Sequence, residues 1–358
     1  MKSFLVFVGL MLALCPAVFP CSAFLESRGN EVLLARNLDW DYGHGMLVVN
    51  PRGLEKTALI GAPNKPAQWT SKYGSVTFNQ VGRELPYGGI NEKGLDVEQL
   101  WLRSTQFPAP NDLPALHELQ WIQYQLDMFS SVREVLANLG KINVLKRVAT
   151  VHYFACDASG ECAAIELIGG KFTVHSGKSL PVRALTNDTY KDSIAYGKPY
   201  LSSRDHLPGG RKSLARFARL GASLARSDAA ADPVADSFAK LSDVSSAKSD
   251  DDDETTQWSI VNDLKRRIIH FKTRESPTEK TLDLSRLDFS CSRPARVIDV
   301  NTPASGDLSG KFMDYSAELN AGLVNKSLAT GFAHLPPETI ERTSRYPDSA
   351  VCRRRAAQ

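Results

Sequence analysis

The stretch CSAFLESRGNEVLLARNLDW, residues 21–40, decides how this chain is read. Residues 21–27 and 31–36 each have the composition of a short strand, and Arg28, Gly29 and Asn30 between them form a turn cluster suited to a hairpin. A hairpin centred near Gly29 brings Cys21 opposite residues 36 and 37. Opposed residues in an antiparallel pair stand roughly 5 Å apart. The register therefore predicts Arg36 beside the Cys21 thiol and Asp39 one turn beyond it.

These residue types suit covalent catalysis. A thiol attacks as thiolate, and a neighbouring guanidinium lowers its pKa. A cysteine that begins a processed chain also carries its own base, because an α-amino group of reference pKa near ~8 accepts the thiol proton at neutral pH. Asp39 would hold that amine. Taken alone, Arg36 and Asp39 read as a surface ion pair at a strand end, and Cys21 as a disulfide cysteine.

The residues upstream bear on that choice. Lys2 precedes an apolar run from Phe4 to Phe19, about the length of a signal-peptide core and too short for a membrane span. Residues 1–20 read as signal peptide plus short propeptide. Cleavage after Ala17 leaves Val18, Phe19 and Pro20, which the Cys21 thiol would remove by attacking the peptide bond before it. A lipid anchor at Cys21 requires a small preceding residue, and Pro20 is not one. The mature protein is expected to be secreted or periplasmic, with no stable membrane insertion after leader removal. Of six cysteines, Cys15 departs with the leader, and an odd number remains in an oxidising compartment where thiols pair. Cys156 and Cys162 flank an Asp-Ala-Ser-Gly turn and are expected to pair, as are Cys291 and Cys352, which leaves Cys21 free.

The remaining composition narrows the function classes. The chain has 358 residues, 42% of them apolar, with 43 basic and 40 acidic side chains and no basic stripe. Nucleic acid is thereby disfavoured as a partner. Seven histidines lack metal-ligand spacing. The acidic run Asp250–Glu254 lacks the spaced ligands and glycine turn of a calcium loop and reads as a solvated loop. No metal or cofactor is expected. Strand-like runs at 46–50, 75–80, 95–101, 149–156, 162–168, 257–262 and 266–272 alternate with helical patterns. Leu116, Leu119, Ile122, Leu126 and Phe129 mark one helix, and Ser131 with Glu134 caps another that stops at Gly140. Further helices fit 212–226 and 232–242. In the first of these, Leu214, Phe217, Leu220 and Leu224 define the expected buried face.

At Ala35-Arg-Asn-Leu-Asp-Trp40 the sequence resembles the choloylglycine hydrolase and penicillin V acylase family, whose N-terminal cysteine strand is followed by a small residue and Arg-Asn-x-Asp. Gly89-Ile-Asn-Glu-Lys-Gly-Leu95 is similar to the family's Gly-x-Asn-Glu-Lys-Gly-Leu hairpin. Leu185-Thr186-Asn187, and Leu207-Pro208-Gly209-Gly210 followed by Ala215-Arg216-Phe217, extend the likeness over roughly residues 21–275. The resemblance implies an α+β fold, a four-layer αββα N-terminal nucleophile hydrolase sandwich with two antiparallel sheets. One domain is expected over 21–285, and an extension over 286–358, where the chain turns polar and proline-containing and the likeness fades. That extension either wraps the domain, stapled by Cys291 and Cys352, or mediates assembly into a homo-oligomer.

Carried over residue by residue, the resemblance makes Cys21 nucleophile and base, supported by Arg36 and Asp39. Asn187 becomes an oxyanion donor, a contribution worth roughly 3 to 4 kcal/mol in other hydrolases, and Arg216 approaches the nucleophile from a later helix. Taken alone, Asn187 reads as a turn residue and Arg216 as a solvated helix residue. Trp101 stands where bile salt hydrolases carry an asparagine. With Trp40 it is a substrate-binding candidate, for an acyl pocket preferring aromatic or fatty chains to a steroid; Trp101 could equally belong to the core. The expected activity is cofactor-free hydrolysis of a linear amide C–N bond in a small-molecule substrate: penicillin V, N-acyl homoserine lactone or conjugated bile salt. Two alternatives stay open: a fatty-acid amide or ceramide amidase of the same superfamily, and a secreted, catalytically inactive binding protein with Cys21 in a disulfide.

Overall fold

A computed structural model describes residues 20–203, 206–226, 232–247, 255–330 and 335–353. All of the expected leader except Pro20, and the acidic run Asp250–Glu254, lie outside them. No helix among the described residues is long and apolar enough to cross a membrane.

The hairpin forms from Ser22–Arg28 and Glu31–Trp40, with register running from Ser22 opposite Asn37 to Arg28 opposite Glu31. The turn is therefore the two residues Gly29-Asn30, and Gly29 takes the positive φ of +58° that such a turn requires. This corrects the sequence-based register. The pairing axis lies between Gly29 and Asn30, so Arg36 is opposite Ala23, and the ladder continued by one residue brings Cys21 opposite Leu38. Alternation still leaves Cys21, Ala23, Arg36 and Leu38 on one face. Asp39 belongs to the other face, with Ser22 and Asn37.

The hairpin lies inside a seven-stranded sheet ordered Ala184–Leu185, Ser22–Arg28, Glu31–Trp40, Thr255–Asp263, Ile268–Thr273, Lys280–Asp283 and Gly306–Asp307. Every pairing is antiparallel except the last. A second, nine-stranded antiparallel sheet runs Lys171–Ser176, Cys162–Ile168, Val151–Cys156, Asp96–Trp101, Pro86–Asn91, Ser75–Asn79, Met46–Asn50, Arg296–Asp299 and Met313–Asp314. The sheets meet face to face. Phe78 of the second packs on Trp258 and Phe271 of the first, with ring centroids 5.9 and 5.5 Å apart.

Helices cover both outer faces. Glu118–Met128 lies on the second sheet, where the Trp121 ring packs tilted against Tyr153 with centroids 4.2 Å apart and the Tyr153 hydroxyl donates to the Glu118 carbonyl at 2.9 Å. Pro233–Asp243 lies on the first, with Asn37 Nδ2 donating to the Leu241 carbonyl at 2.8 Å. Ser213–Leu224 is the other helix of that layer. This is the expected four-layer αββα sandwich. Helix 213–224 does differ from expectation in what it buries: Ala215, Arg216, Phe217, Ala218, Leu220, Gly221 and Ala222, with Leu214 and Leu224 only partly covered. Small residues let it approach closely, and Arg216 points inward.

The segment beyond residue 285 belongs to the same body. Arg296–Asp299 pairs with Met46–Asn50, and Val351–Cys352 pairs with Leu54–Thr57. Cys291 is bonded to Cys352 and Cys156 to Cys162. Phe78 is central to the inter-sheet layer and 1% exposed, so Phe78→Ala is expected to cost roughly 3–5 kcal/mol of unfolding free energy. Urea denaturation followed by tryptophan fluorescence measures it, and a loss below about 1 kcal/mol would show that the layer is not the core.

Candidate active site

Cys21 sits at the start of the first strand, next to the central Glu31–Trp40 strand. It is a free thiol, 3% exposed, with Sγ 3.8 Å from the Asp39 carbonyl oxygen. The reading of this residue as a disulfide cysteine is thereby set aside. Burial pushes the thiol pKa up; Arg36 pulls it back, Asp39 adds to the rise, and Arg216 lowers it less. The expected influence of Arg36 has the right sign but is outweighed by desolvation. The resting group is a thiol, and its proton must leave as it attacks.

Asp39 lies at the other end of this group and is fully buried. Its Oδ1 accepts from the Thr256 hydroxyl, while Oδ2 is buried without a partner among the described residues. Burial raises the carboxyl pKa to about 7, against the pull of Arg216, the Thr256 hydrogen bond, Arg211 and Arg36. An unsatisfied buried carboxylate oxygen is costly. It is the kind of acceptor that an α-amine on Cys21 would satisfy. In the chain as described, the Cys21 nitrogen is still in peptide linkage to Pro20.

Arg216 ties the remaining pieces together. Nη1 donates to the Cys21 carbonyl at 2.6 Å and to the Ser22 hydroxyl, Nη2 donates to Asn187 Oδ1 at 2.7 Å, and Nε donates to the Arg211 carbonyl at 3.0 Å. Asn187 follows the edge strand Ala184–Leu185, and its backbone N–H donates to Ser213 Oγ at 2.8 Å. With Oδ1 fixed by Arg216, the amide nitrogen has a single orientation. One N–H reaches the Trp101 carbonyl at 2.9 Å, and the second is uncommitted among the described residues.

Arg36 is 1% exposed. Its Nη1 donates to the Tyr87 carbonyl at 2.8 Å and to Glu98. Glu98 and Cys21 favour the charged form, and despite burial the guanidinium stays protonated. Trp40 and Trp101 join Cys21, Leu38, Tyr87 and Gln99 in lining a small cleft. The Trp40 ring stands 6.4 Å from Trp101 and 6.2 Å from Tyr87. The free volume is about 10 Å³, room for no more than one water.

All seven site residues picked out from the sequence therefore meet in one place. Four that matter were not picked out. Glu98 and Asp96 had a signal: two acids at alternate positions on a strand whose other residues, Leu95, Val97 and Leu100, are core. Thr256 and Ser213 had none, since a lone hydroxyl in a strand or at a helix start is ordinary.

The layers, and the thiol at the start of the strand beside Glu31–Trp40, define the architecture of an N-terminal nucleophile hydrolase. A family model described as linear amide C–N hydrolases, choloylglycine hydrolase family, matches residues 21–206, and the chain belongs to that family. It is 32% identical over 212 residues to the penicillin V acylase of Pectobacterium atrosepticum, covering 52% of this chain and 54% of that protein. The alignment thus spans about half the length of that relative. The structure resembles that of penicillin V acylase from Agrobacterium tumefaciens with a TM-score of 0.73 and 28% identity, covering 83% of this chain and 98% of that one. A mutant conjugated bile acid hydrolase from Clostridium perfringens has the same fold, with a TM-score of 0.67 at 19% identity over 80% of this chain and 98% of that one.

The position of Asp39 makes stability depend on pH. Its folded pKa of about 7 lies above the ordinary carboxyl value of 3.8, so its contribution is fully present below about pH 4 and lost as pH rises through about 7. That difference corresponds to roughly 4 kcal/mol. In the chain that retains Pro20, Asp39→Asn is expected to match the native residue near pH 4 and to be the more stable by up to that amount above pH 7. Urea denaturation across this range tests it; a difference that does not change with pH would mean that the carboxyl ionises freely.

Proposed function

We propose that the mature chain begins at Cys21 and hydrolyses the C–N bond of linear amides, with Cys21 as nucleophile and its own α-amine as base. The observation that carries this reading is the buried Oδ2 of Asp39, without a partner among the described residues, on the residue whose backbone carbonyl meets the free thiol and whose charge acts on it. Once the bond to Pro20 is cut, the new amine takes the thiol proton and becomes an ammonium that Asp39 can hold. The thiolate attacks the acyl carbon, and the uncommitted N–H of Asn187 receives the oxyanion. The ammonium then passes a proton to the departing nitrogen, the C–N bond breaks, and a thioester remains. Water attacks the thioester with the amine again as base, releasing the acid.

Arg216 holds the Cys21 carbonyl and the Asn187 amide in one frame. It fixes the distance between the attacking atom and the oxyanion donor. Trp40, Tyr87 and Trp101 supply flat apolar walls, and the acyl group takes its place among them by displacing a side chain, because the cleft is closed in this form. Phenoxyacetyl penicillins come first among the substrates, then N-acyl homoserine lactones, then conjugated bile salts. Support comes from the penicillin V acylase likeness and from the indole at position 101, which offers a broad surface and one donor. We place the mature protein outside the cytoplasm, secreted or periplasmic, on the strength of the apolar run before Cys21 and the two disulfides.

Cys21→Ser is expected to fold and to lose turnover by at least about a thousandfold. Intact-mass analysis of the purified wild-type protein should give a first residue at Cys21; undiminished turnover in the variant, or a chain starting elsewhere, sinks the mechanism. Trp101→Asn is expected to change the ranking of acyl groups across a panel of penicillin V, acyl homoserine lactones and conjugated bile salts. An unchanged ranking would place Trp101 in the core alone.

A further inference from the structure

Behind Arg36, away from the cleft, lies a buried pair of acids that the reaction above does not use. Asp96 and Glu98 are two residues apart on strand Asp96–Trp101 and so share a face; both are fully buried. Glu98 Oε2 reaches across the inter-sheet layer to Arg36 Nη1, while Asp96 Oδ2 accepts from Asn262 Nδ2 at 2.6 Å. The backbone makes room for this. Gly88 stands directly opposite Glu98 in the neighbouring strand, and a Cβ there would lie 1.6 Å from Glu98 Oε2. The remaining oxygens, Asp96 Oδ1 and Glu98 Oε1, find no donor among the described residues. Two buried carboxyls on one face of a strand, each with an oxygen left over, are matched without an outside donor only if a proton lies between them.

We propose that Asp96 and Glu98 share one proton, resident on Asp96, and that Glu98 is a positioning residue that pins Arg36 and offsets its charge beside Cys21. The assignment follows from what surrounds each acid. Burial raises both carboxyls, but Glu98 has the Arg36 guanidinium, which favours its ionised form, whereas burial and then the adjacent negative Glu98 push Asp96 well above the usual range and the Asn262 hydrogen bond opposes them only in part. Arg36 spends Nη1 on Glu98 and on the Tyr87 carbonyl, while Nε and Nη2 have no partner among the described residues. The thiol therefore lies beside a guanidinium locked in position with its charge largely balanced, rather than beside a bare cation. The proposal rests on Cys21 as nucleophile only for its kinetic consequence, because neither readout below requires turnover.

The first test is infrared spectroscopy of the purified protein at neutral pH. The carbonyl band of a protonated carboxylic acid is expected in the wild type and should vanish in Asp96→Asn. The second is the pH titration of thiolate ultraviolet absorbance, taken against Cys21→Ser. Glu98→Gln removes the balancing charge while keeping an acceptor for Arg36, and should lower the thiol midpoint by about one pH unit. Asp96→Asn keeps the hydrogen bond to Glu98 and should leave the midpoint in place. A purely structural role would lower the melting temperature without moving either midpoint. The proposal is overturned by the absence of the acid band in the wild type, by a Glu98→Gln midpoint equal to wild type, or by an Asp96→Asn shift as large as that of Glu98→Gln. Should Glu98→Gln fail to fold, the infrared band and the Asp96→Asn titration still decide.

Discussion

Nine consecutive residues of one strand, Val32 to Trp40, are buried, because a second sheet covers one face and a helix layer the other. Three of the nine are Arg36, Asn37 and Asp39. Polar groups removed from water on both sides of a sheet must be matched by partners within the protein, and their partners make up much of the site. Asn37 bonds to Leu241 and Ser259, Asp39 to Thr256, and Arg36 to Glu98 and Tyr87. The acceptor that these three leave over among the described residues is Asp39 Oδ2, on the residue whose carbonyl meets the thiol.

How far the sequence reveals this depends on whether the relevant geometry is local. The hairpin turn, strand runs such as 46–50 and 162–168, and the four helices expected from periodicity and caps appear within a few residues of their expected bounds, whereas helices Tyr190–Gly197, Ala317–Thr330 and Pro337–Arg345 were not read from the sequence. The strand–helix boundary near Leu116 is shifted because Ala115–His117 is held in a short parallel pair with Asn143–Leu145, a long-range contact that overrides the helical spacing. The register error at Cys21 is of another kind. A two-residue and a three-residue turn differ by one position in pairing, and the composition Arg-Gly-Asn does not distinguish them.

The site shows the same division. Cys21, Arg36 and Asp39 were legible because they share one hairpin, whereas Asn187 and Arg216 needed family motifs, since more than 150 residues separate each from the thiol in sequence. Glu98 was not legible as a partner of Arg36. Nothing in Asp-Val-Glu-Gln announces that it faces the other sheet, and the space it occupies exists only because Gly88 has no side chain. The size of the thiol's pKa shift was likewise out of reach, because it depends on how thoroughly the layers exclude water.

The pairing of Arg296–Asp299 with Met46–Asn50 also constrains the order of assembly. An early strand of the chain keeps a hydrogen-bonding edge unpaired until a segment roughly 250 residues later has been delivered, a long-range closure of the kind that slows folding. Such an edge is a template for wrong partners while it waits. A protein built this way has reason to stay unfolded until its last part has emerged, and the bond between Cys291 and Cys352 then fastens the late-arriving segment after its strand has docked.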